Sequence, residues 1–433
     1  MDNYTIKFLS PPKDISIKLN ASKSESNRLI IIKALAKEEI EINLNSSKSE
    51  SNRLLIIESL SKNKIELENL SNANDTILLK NLLRSKSKNI WDAEDAGTSM
   101  RFLTSFLAIT NQGVLLTGTE RMKKRPIKIL VDALNKIGAE ISYEEKDGYP
   151  PLTINKKISQ VEDSISIRGD ISSQYISSLL MIAPILPSGL KIKIIPPFYS
   201  KPYVLMTLNL MKKFGIKYHF SNDSISIKNQ KYTEGKYRVE SDWSAASYWY
   251  SFISINKNIN EIKLKGLRED SFQGDQVIKK IMSLFNVETI YDIDGIILRK
   301  KDFDCDYLEL DFKDCPDLAQ TVLVVAAYHK VKLKLYGVES LKIKETDRLN
   351  AMSNELKKIG VNFYDDNGVW TLDKRNNEFT NEASIETYED HRMAMAFAPL
   401  SSEINLTINN PNVVNKSYPT FWEDMKKAGY SVI

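Results

Sequence analysis

Three features of this 433-residue chain predict an α/β fold with more than one core. Short runs with strand-like alternation are interleaved with amphipathic helical stretches, the pattern of layered α/β proteins. The length exceeds what one hydrophobic core ordinarily fills, so two or three domains are expected. The octapeptide S-K-S-E-S-N-R-L occurs at 22–29 and again at 47–54, and each copy runs into an apolar helical stretch.

In chain order, residues 5–9 and 15–19 alternate like strands. The first octapeptide helix follows, then a strand at 40–44, the second octapeptide helix, a strand at 65–67 and a helix over 75–83. Helices are expected over 100–109, 127–137, 204–214 and 245–255, with strands over 164–167 and 190–195. The polar stretch 240–244, E-S-D-W-S, is the candidate domain edge, a direct junction without a flexible tether.

The repeat is larger than the octapeptide. Residues 19–43 align on 44–68 without a gap, at the offset of 25 that separates Lys23 from Lys48, with 16 identities. Solenoids need roughly three or more stacked units, and no third copy is present, so this is a local tandem duplication. One copy is expected to serve the site: Lys23, Ser24 and Arg28, or Lys48, Ser49 and Arg53. The second is favoured because it keeps the spacing to 72–76 and carries Asn63 where a helix end favours a left-handed residue. It also leaves the extra helix and strand near the N-terminus, where insertions disturb fewer contacts.

Composition narrows the function classes. Lys and Arg number 60 against 56 Asp and Glu, and a net +4 is too slight to indicate a nucleic-acid binder. Cys305 and Cys315 form no disulfide framework, and with only three histidines no metal-binding spacing appears. No run approaches the roughly 18 apolar residues of a membrane span, and the N-terminus lacks an apolar signal core. A soluble, cytoplasmic protein is expected.

Chemistry concentrates at expected helix starts. Lys, Ser, Asn and Arg grouped at such a start form an anion site, because free N–H groups and the positive dipole end add to the side-chain charges. D-A-G-T-S-M-R (95–101) offers Gly97 for close backbone approach. The basic loop 117–127 carries Arg121, Lys123, Lys124 and Arg125. G-D-I-S-S-Q-Y (169–175) places Ser172, Ser173 and Gln174, and Y-S-K-P-Y (199–203) adds Ser200 in a turn. C-P-D-L-A-Q (315–320) sets Asp317 at a Pro-started cap. In K-E-T-D-R-L (344–349), Lys344 and Arg348 share a face if helical, with Glu345 beside them. Arg392 opens a Met/Ala-rich helix next to His391, read as a satisfied structural histidine, and Lys416 lies in N-K-S-Y-P. Each cluster alone is an ordinary cap, turn or solvated loop. Seven of them at helix starts and turns point to a shared electropositive cleft for anionic ligands.

The order S-K-S-x-S-N-R, D-A-G-T-x-M-R, R-M-K-x-R-P, S-S-Q, S-K-P-Y, P-D, K-E-T-D-R and D-H-R-M-A-M resembles the EPSP synthase family of enolpyruvyl transferases over essentially the whole chain. The resemblance implies two inside-out α/β globes, each of three βαβαββ units, with the site in the cleft between them. One globe would comprise 1–45 plus 241–433 and the other 46–240. It implies transfer of the enolpyruvyl group of phosphoenolpyruvate to the 5-hydroxyl of shikimate 3-phosphate, with no metal or organic cofactor, in a monomer without nucleic-acid or membrane partners. By the same resemblance, Ser172, Ser173, Ser200, Ser340 and Lys344 would hold the shikimate phosphate, and the octapeptide Ser and Arg its ring and carboxylate. Gln174 would lie near the ring and Asp317 would take the hydroxyl proton. Gly97, Arg125, Gln174, Arg348, Arg392 and Lys416, with Lys48 (or Lys23), would hold phosphoenolpyruvate. The octapeptide Lys and Glu345 would protonate its methylene and stabilise the cationic carbon.

Departures from the family pattern are Asn45-Ser46 (or Asn20-Ala21) for Pro-Gly, Asp95 for a common Asn, Phe102 for a frequent Pro and Ser340 for a frequent Asn. A sibling enolpyruvyl transferase acting on UDP-N-acetylglucosamine has K-N at the first motif and a Cys in the loop matching 117–125, both lacking here. A non-catalytic phosphate-binding protein would not need Asp317 and Glu345.

Overall fold

The computed structural model describes residues 3–8, 40–85, 89–374 and 379–432. The first copy of the repeat therefore lies outside the described residues up to position 39, including Lys23, Ser24, Arg28 and the expected strand at 15–19. Among the described residues no helix is long and apolar enough to cross a membrane.

Among the described residues, five four-stranded sheets are built on one plan and a sixth sheet has two strands. In the unit Ile90–Asp92, Val114–Thr117, Glu140–Tyr143 and Leu152–Lys156, the first two strands are parallel and each is followed by a helix; the last two form an antiparallel hairpin. Spatial order is first, second, fourth, third. The units beginning at Ser164–Arg168 and Tyr307–Asp311 repeat it. In two further sheets a distant segment supplies one strand. Ile40–Asn43 takes the first place beside Glu261–Lys265. Asn3–Phe8 takes the fourth, between Asn405–Asn409 and Tyr430–Val432. Ile65–Glu68 pairs in parallel with Gly235–Arg238 in the two-stranded sheet.

The strands alternate as surface strands do. Along Leu190–Ile195, Leu190, Ile192 and Ile194 are buried while Lys191, Lys193 and Ile195 face out. The helices behave differently. Trp243–Ile255 is buried at nearly every position, and Gly97–Thr110, Ser173–Ile182 and Ala319–Tyr328 nearly so. A helix apolar all round belongs in an interior, so sheets form the outside and helices the inside. The buried hydroxyls of Gly97–Thr110 are hydrogen-bonded: Ser99 Oγ donates to Asp75 O at 3.3 Å, Thr104 Oγ1 to Met100 O at 2.7 Å and Ser105 Oγ to Ser178 Oγ at 2.9 Å. Two apolar cores result. One runs from Leu54 to Val239; the other joins Ile6, Ile42 and Leu44 to residues from Trp243 onwards.

The chain passes between the cores at two adjacent crossovers, made without Pro-Gly. Ser46 and Ser241 form a bridge, Ser47 N donates to Glu240 O at 2.8 Å and Asp242 N to Asn45 O at 2.9 Å. Beneath them lies a buried carboxylate pair. Glu50 Oε2 accepts from Tyr237 Oη and Glu240 N, both at 3.3 Å, and Gln273 Nε2 reaches Glu50 and Glu240 at 3.5 and 3.2 Å. Burial, followed by the Glu240 charge, pushes the Glu50 carboxyl up to about 7. The folded chain therefore holds this proton up to about pH 7, whereas the unfolded chain releases it near the ordinary carboxyl value of 4.5. Stability falls as pH rises between those values and stays lower above them. Glu50→Gln is expected to stabilise the protein above pH 7 by about 3 kcal/mol and to change little at pH 4.5. Urea unfolding at both pH values measures it; equal effects at both would remove the buried proton from the account.

Candidate active site

The cleft lies where strands hand over to helices. Lys48 opens the helix Lys48–Leu60 after the strand Ile40–Asn43, Gly97 opens Gly97–Thr110 after Ile90–Asp92, and Ser173 opens Ser173–Ile182 after Ser164–Arg168. Ser200 precedes Lys201–Lys213, Asp317 lies in Pro316–Leu318, and Arg348 and His391 open Arg348–Lys358 and His391–Phe397. Orphan N–H groups thus collect around one space. It is lined by Lys48, Ser49, Arg53, Gly97, Arg125, Ser172, Ser173, Gln174, Ser200, Asp317, Ser340, Lys344, Glu345, Arg348 and Arg392.

The side of the cleft built on the Leu54–Val239 core is cationic and hydroxyl-rich. Lys48 Nζ sits 3.2 Å from Asp75 Oδ2. Arg53 is fully engaged, its Nε on Thr207 Oγ1 at 2.7 Å and its Nη1 on Ser49 O at 2.8 Å, with the guanidinium 5.4 Å from the Phe102 ring centroid. That contact gives the unusual Phe102 a cation–π role. Gln174 Nε2 donates to Thr98 Oγ1 at 3.0 Å, and Ser172 Oγ caps its helix at Gln174 N. The Arg125 guanidinium packs directly against Gly97: a Cβ there would sit 2.8 Å from Arg125 Cζ and displace that side chain. Arg125 Nε is buried with no hydrogen-bond partner among the described residues, a donor left open beside the cleft.

The opposite side is a carboxylate–guanidinium network. Arg348, 2% exposed, donates to Asp317 Oδ1 at 2.9 Å, Glu345 Oε2 at 2.7 Å and Asp390 Oδ2 at 2.7 Å. Arg392 Nη2 holds the other Asp317 oxygen at 2.9 Å. Burial would raise the Asp317 carboxyl, but the Arg392, Lys344 and Arg348 charges override it and hold it well below the usual carboxylate range. Glu345 is likewise opposed by burial and pulled well below that range by Arg348, Arg125, Lys416 and His391. Both carboxylates are ionised at neutral pH. Burial also lowers Lys344, against the pull of Asp317.

Three expectations change. Lys344 and Arg348 do not share a helix face, because the Asp347 side chain caps the helix at Asn350 N and Arg348 is its first residue; Lys344 and Glu345 enter from the preceding loop. His391 is not a satisfied structural histidine. Its Nδ1 is buried without a hydrogen-bond partner among the described residues, 3.7 Å from Asp390 Oδ1. Burial, with the Lys48 and Arg392 charges, pushes its pKa well below the ordinary histidine value, so the ring is neutral. Asn63 is not left-handed; it is held by Nδ2 donating to Tyr232 O at 2.6 Å.

One expected site residue, Lys416, stands off the cleft lining. Lys416 Nζ donates to Asp95 O at 3.0 Å, its charge reaching Glu345, and the Asp95 carboxylate accepts from Thr119 Oγ1. Sequence reasoning missed Asp75, Asp390 and the buried Asp275, whose carboxylate accepts from Tyr203 Oη at 2.8 Å. Asp390 was adjacent to Arg392 in a motif already noted, and Asp75 lies just after the second repeat, whereas Asp275 had no local signal.

The family model described as EPSP synthase (3-phosphoshikimate 1-carboxyvinyltransferase) matches residues 11–425. The chain belongs to the EPSP synthase family. It is 43% identical over 431 residues to the 3-phosphoshikimate 1-carboxyvinyltransferase of Bacteroides fragilis (strain YCH46), with 98% of each chain covered. It is 38% identical over 337 residues to the protein of that name from Buchnera aphidicola subsp. Baizongia pistaciae (strain Bp), covering 77% of each. A solved EPSP synthase from Acinetobacter baumannii superposes with a TM-score of 0.74 at 20% identity, covering 100% of both chains, a likeness of fold. The paired inside-out layers described above are the EPSP synthase architecture.

Proposed function

We propose that the chain transfers the enolpyruvyl group of phosphoenolpyruvate to the 5-hydroxyl of shikimate 3-phosphate, releasing phosphate. The observation that carries this reading is the meeting of Asp317 and Glu345 on one buried guanidinium, opposite a wall of cations and helix starts. Both substrates carry a phosphate and a carboxylate, for which bidentate arginines and helix-start donors are suited. Ser172, Ser173, Ser200, Ser340 and Lys344 take the shikimate phosphate, and Ser49 and Arg53 its ring side with Gln174. Gly97, Arg125, Arg348, Arg392 and Lys416 take phosphoenolpyruvate.

Asp317 accepts the proton of the 5-hydroxyl as its oxygen bonds to the central carbon of phosphoenolpyruvate, and Lys48 with Glu345 delivers a proton to the methylene. The carbon–phosphate oxygen bond then breaks, and the methyl group returns a proton to regenerate the enol ether. The surrounding cations hold both carboxylates below the usual range. Two multiply charged anions draw on the same cations, which moves Asp317 and Glu345 up towards the range a general acid or base needs. A turnover assay with both substrates, read as phosphate release, tests the reading; no phosphate release from the folded protein would refute it.

The same reading divides the chain into 1–45 plus 241–433 and 46–240, supported by the two separate cores, and takes it to be a monomer in the cytoplasm, a compartment that suits its free cysteines. It assigns the site to the second repeat copy, supported by Lys48, Ser49 and Arg53 lining the cleft. Lys48→Met is expected to lose about 10²-fold or more of turnover, and Lys23→Met to stay near wild type. Loss confined to Lys23→Met would reverse the assignment.

A further inference from the structure

The basic loop before the helix Lys128–Ile137 contains an arginine that the reaction does not use. Arg121 precedes Met122, which is fully buried in the Leu54–Val239 core, and Arg125, which lines the cleft. Its guanidinium reaches across to the other core. Nε donates to the backbone oxygen of Glu345 at 3.0 Å, and Nη2 reaches the same oxygen. Nη2 also meets Tyr388 O at 3.4 Å. Nη1 meets Glu389 O at 3.3 Å and Glu389 Oε2 at 2.9 Å. One planar fork thus holds three carbonyl oxygens and a carboxylate on two loops.

Those loops carry the chemistry. Glu345 projects its carboxylate to Arg348, and Tyr388 and Glu389 lead directly into Asp390 and Arg392. Tyr388 and Glu389 are both left-handed, with φ of 51° and 54°, a conformation that non-glycine residues hold only where surroundings enforce it. Arg121 binds the carbonyl oxygens of both residues.

We propose that Arg121 is a positioning residue: a latch from one core that fixes the Glu345 peptide and the 388–389 turn on the other, so that the catalytic carboxylate is correctly aimed only when the cleft is closed. The inference rests on the role given to Glu345 above. Misplacing a reacting group by about an ångström lowers rates about 10²-fold. Arg121→Ala is therefore expected to lower kcat by about 10–100-fold while KM for shikimate 3-phosphate stays within about threefold.

The test compares Arg121→Ala, Arg121→Lys, Glu345→Gln and the double variant Arg121→Ala/Glu345→Gln, with and without added guanidinium chloride at constant ionic strength. Arg121→Lys keeps the charge without the fork, so it is expected to be impaired too, and it carries the test if the alanine variant does not fold. Guanidinium ion at millimolar concentration should restore part of kcat in Arg121→Ala and none in Glu345→Gln. The double variant should be no more than about twofold slower than Glu345→Gln, since a residue acting through Glu345 has nothing left to position. Normal kcat in both Arg121 variants, or full multiplication of the two losses, overturns the latch while an impaired Glu345→Gln leaves the catalytic reading standing. Normal turnover in Glu345→Gln overturns both.

Discussion

Asp317→Asn and Glu345→Gln are each expected to lower kcat by about 10²–10⁴-fold, with KM for either substrate changed only a few-fold. Both replacements keep shape and remove one negative charge. The Asp317 carboxylate accepts from Arg348 and Arg392, so an amide there still fills the space but cannot take a proton from a hydroxyl. The Glu345 carboxylate accepts from Arg348 alone among the described side chains. Its amide leaves the Arg348 contacts to Asp317 and Asp390 in place, and with them substrate binding. Steady-state kinetics with phosphate release as readout separates the two parameters; a rise in KM without loss of kcat would move both residues from proton transfer to binding.

Arg348→Met is expected to destabilise the protein by about 3–5 kcal/mol at pH 7, besides abolishing turnover, because removing the shared cation leaves buried carboxylates uncompensated. Asp390 is fully buried, and the side chains of Asp317 and Glu345 are mostly so. The loss has a definite pH dependence. In the native protein Asp317 and Glu345 sit below their unfolded values, so their stabilisation is present above about pH 4 and is lost as pH falls through the folded values. In the variant the same groups, buried without Arg348, are driven upward, so the deficit is full at neutral pH and shrinks as they protonate. Urea unfolding at pH 7 and pH 4.5 should show the gap between wild type and variant narrowing towards acid. A gap that is constant across that range would mean the loss is one of packing rather than charge.

How much of this was legible in the sequence depended on whether the signal was local. The helix expected over 127–137 is Lys128–Ile137, and the strand over 190–195 is Leu190–Ile195, because a face of buried residues imposes a period that one segment displays by itself. Hydroxyl and basic clusters at helix starts were visible for the same reason. Pairing was not. Nothing in I-E-I-N at 40–43 indicates that its partner is Glu261–Lys265, more than two hundred residues away, nor that Asn3–Phe8 closes a sheet with the chain's last strand. The 344–348 segment misled because Lys344 and Arg348 have helical spacing, while the decisive fact is that Asp347 uses its carboxylate as a cap. Histidine satisfaction at 391 and the three-carboxylate setting of Arg348 are properties of converging loops, which no single window of sequence contains.

The uniform placement of cleft residues at strand-to-helix turns also sorts the molecule by tolerance to change. The opposite ends of the same units, where helices return to strands, are closed by residues such as Gly113, Gly189, Gly215 and Gly360, all with positive φ, and at Gly189 the Ile227 backbone also leaves no room for a side chain. They touch no cleft residue, and the segment 157–163 between two units is largely exposed. Sequence drift, small insertions and affinity or fluorescent tags are absorbed there with least effect on catalysis. Each unit thus has one end under chemical constraint and one free to diverge, which lets chains of 20% identity keep one architecture.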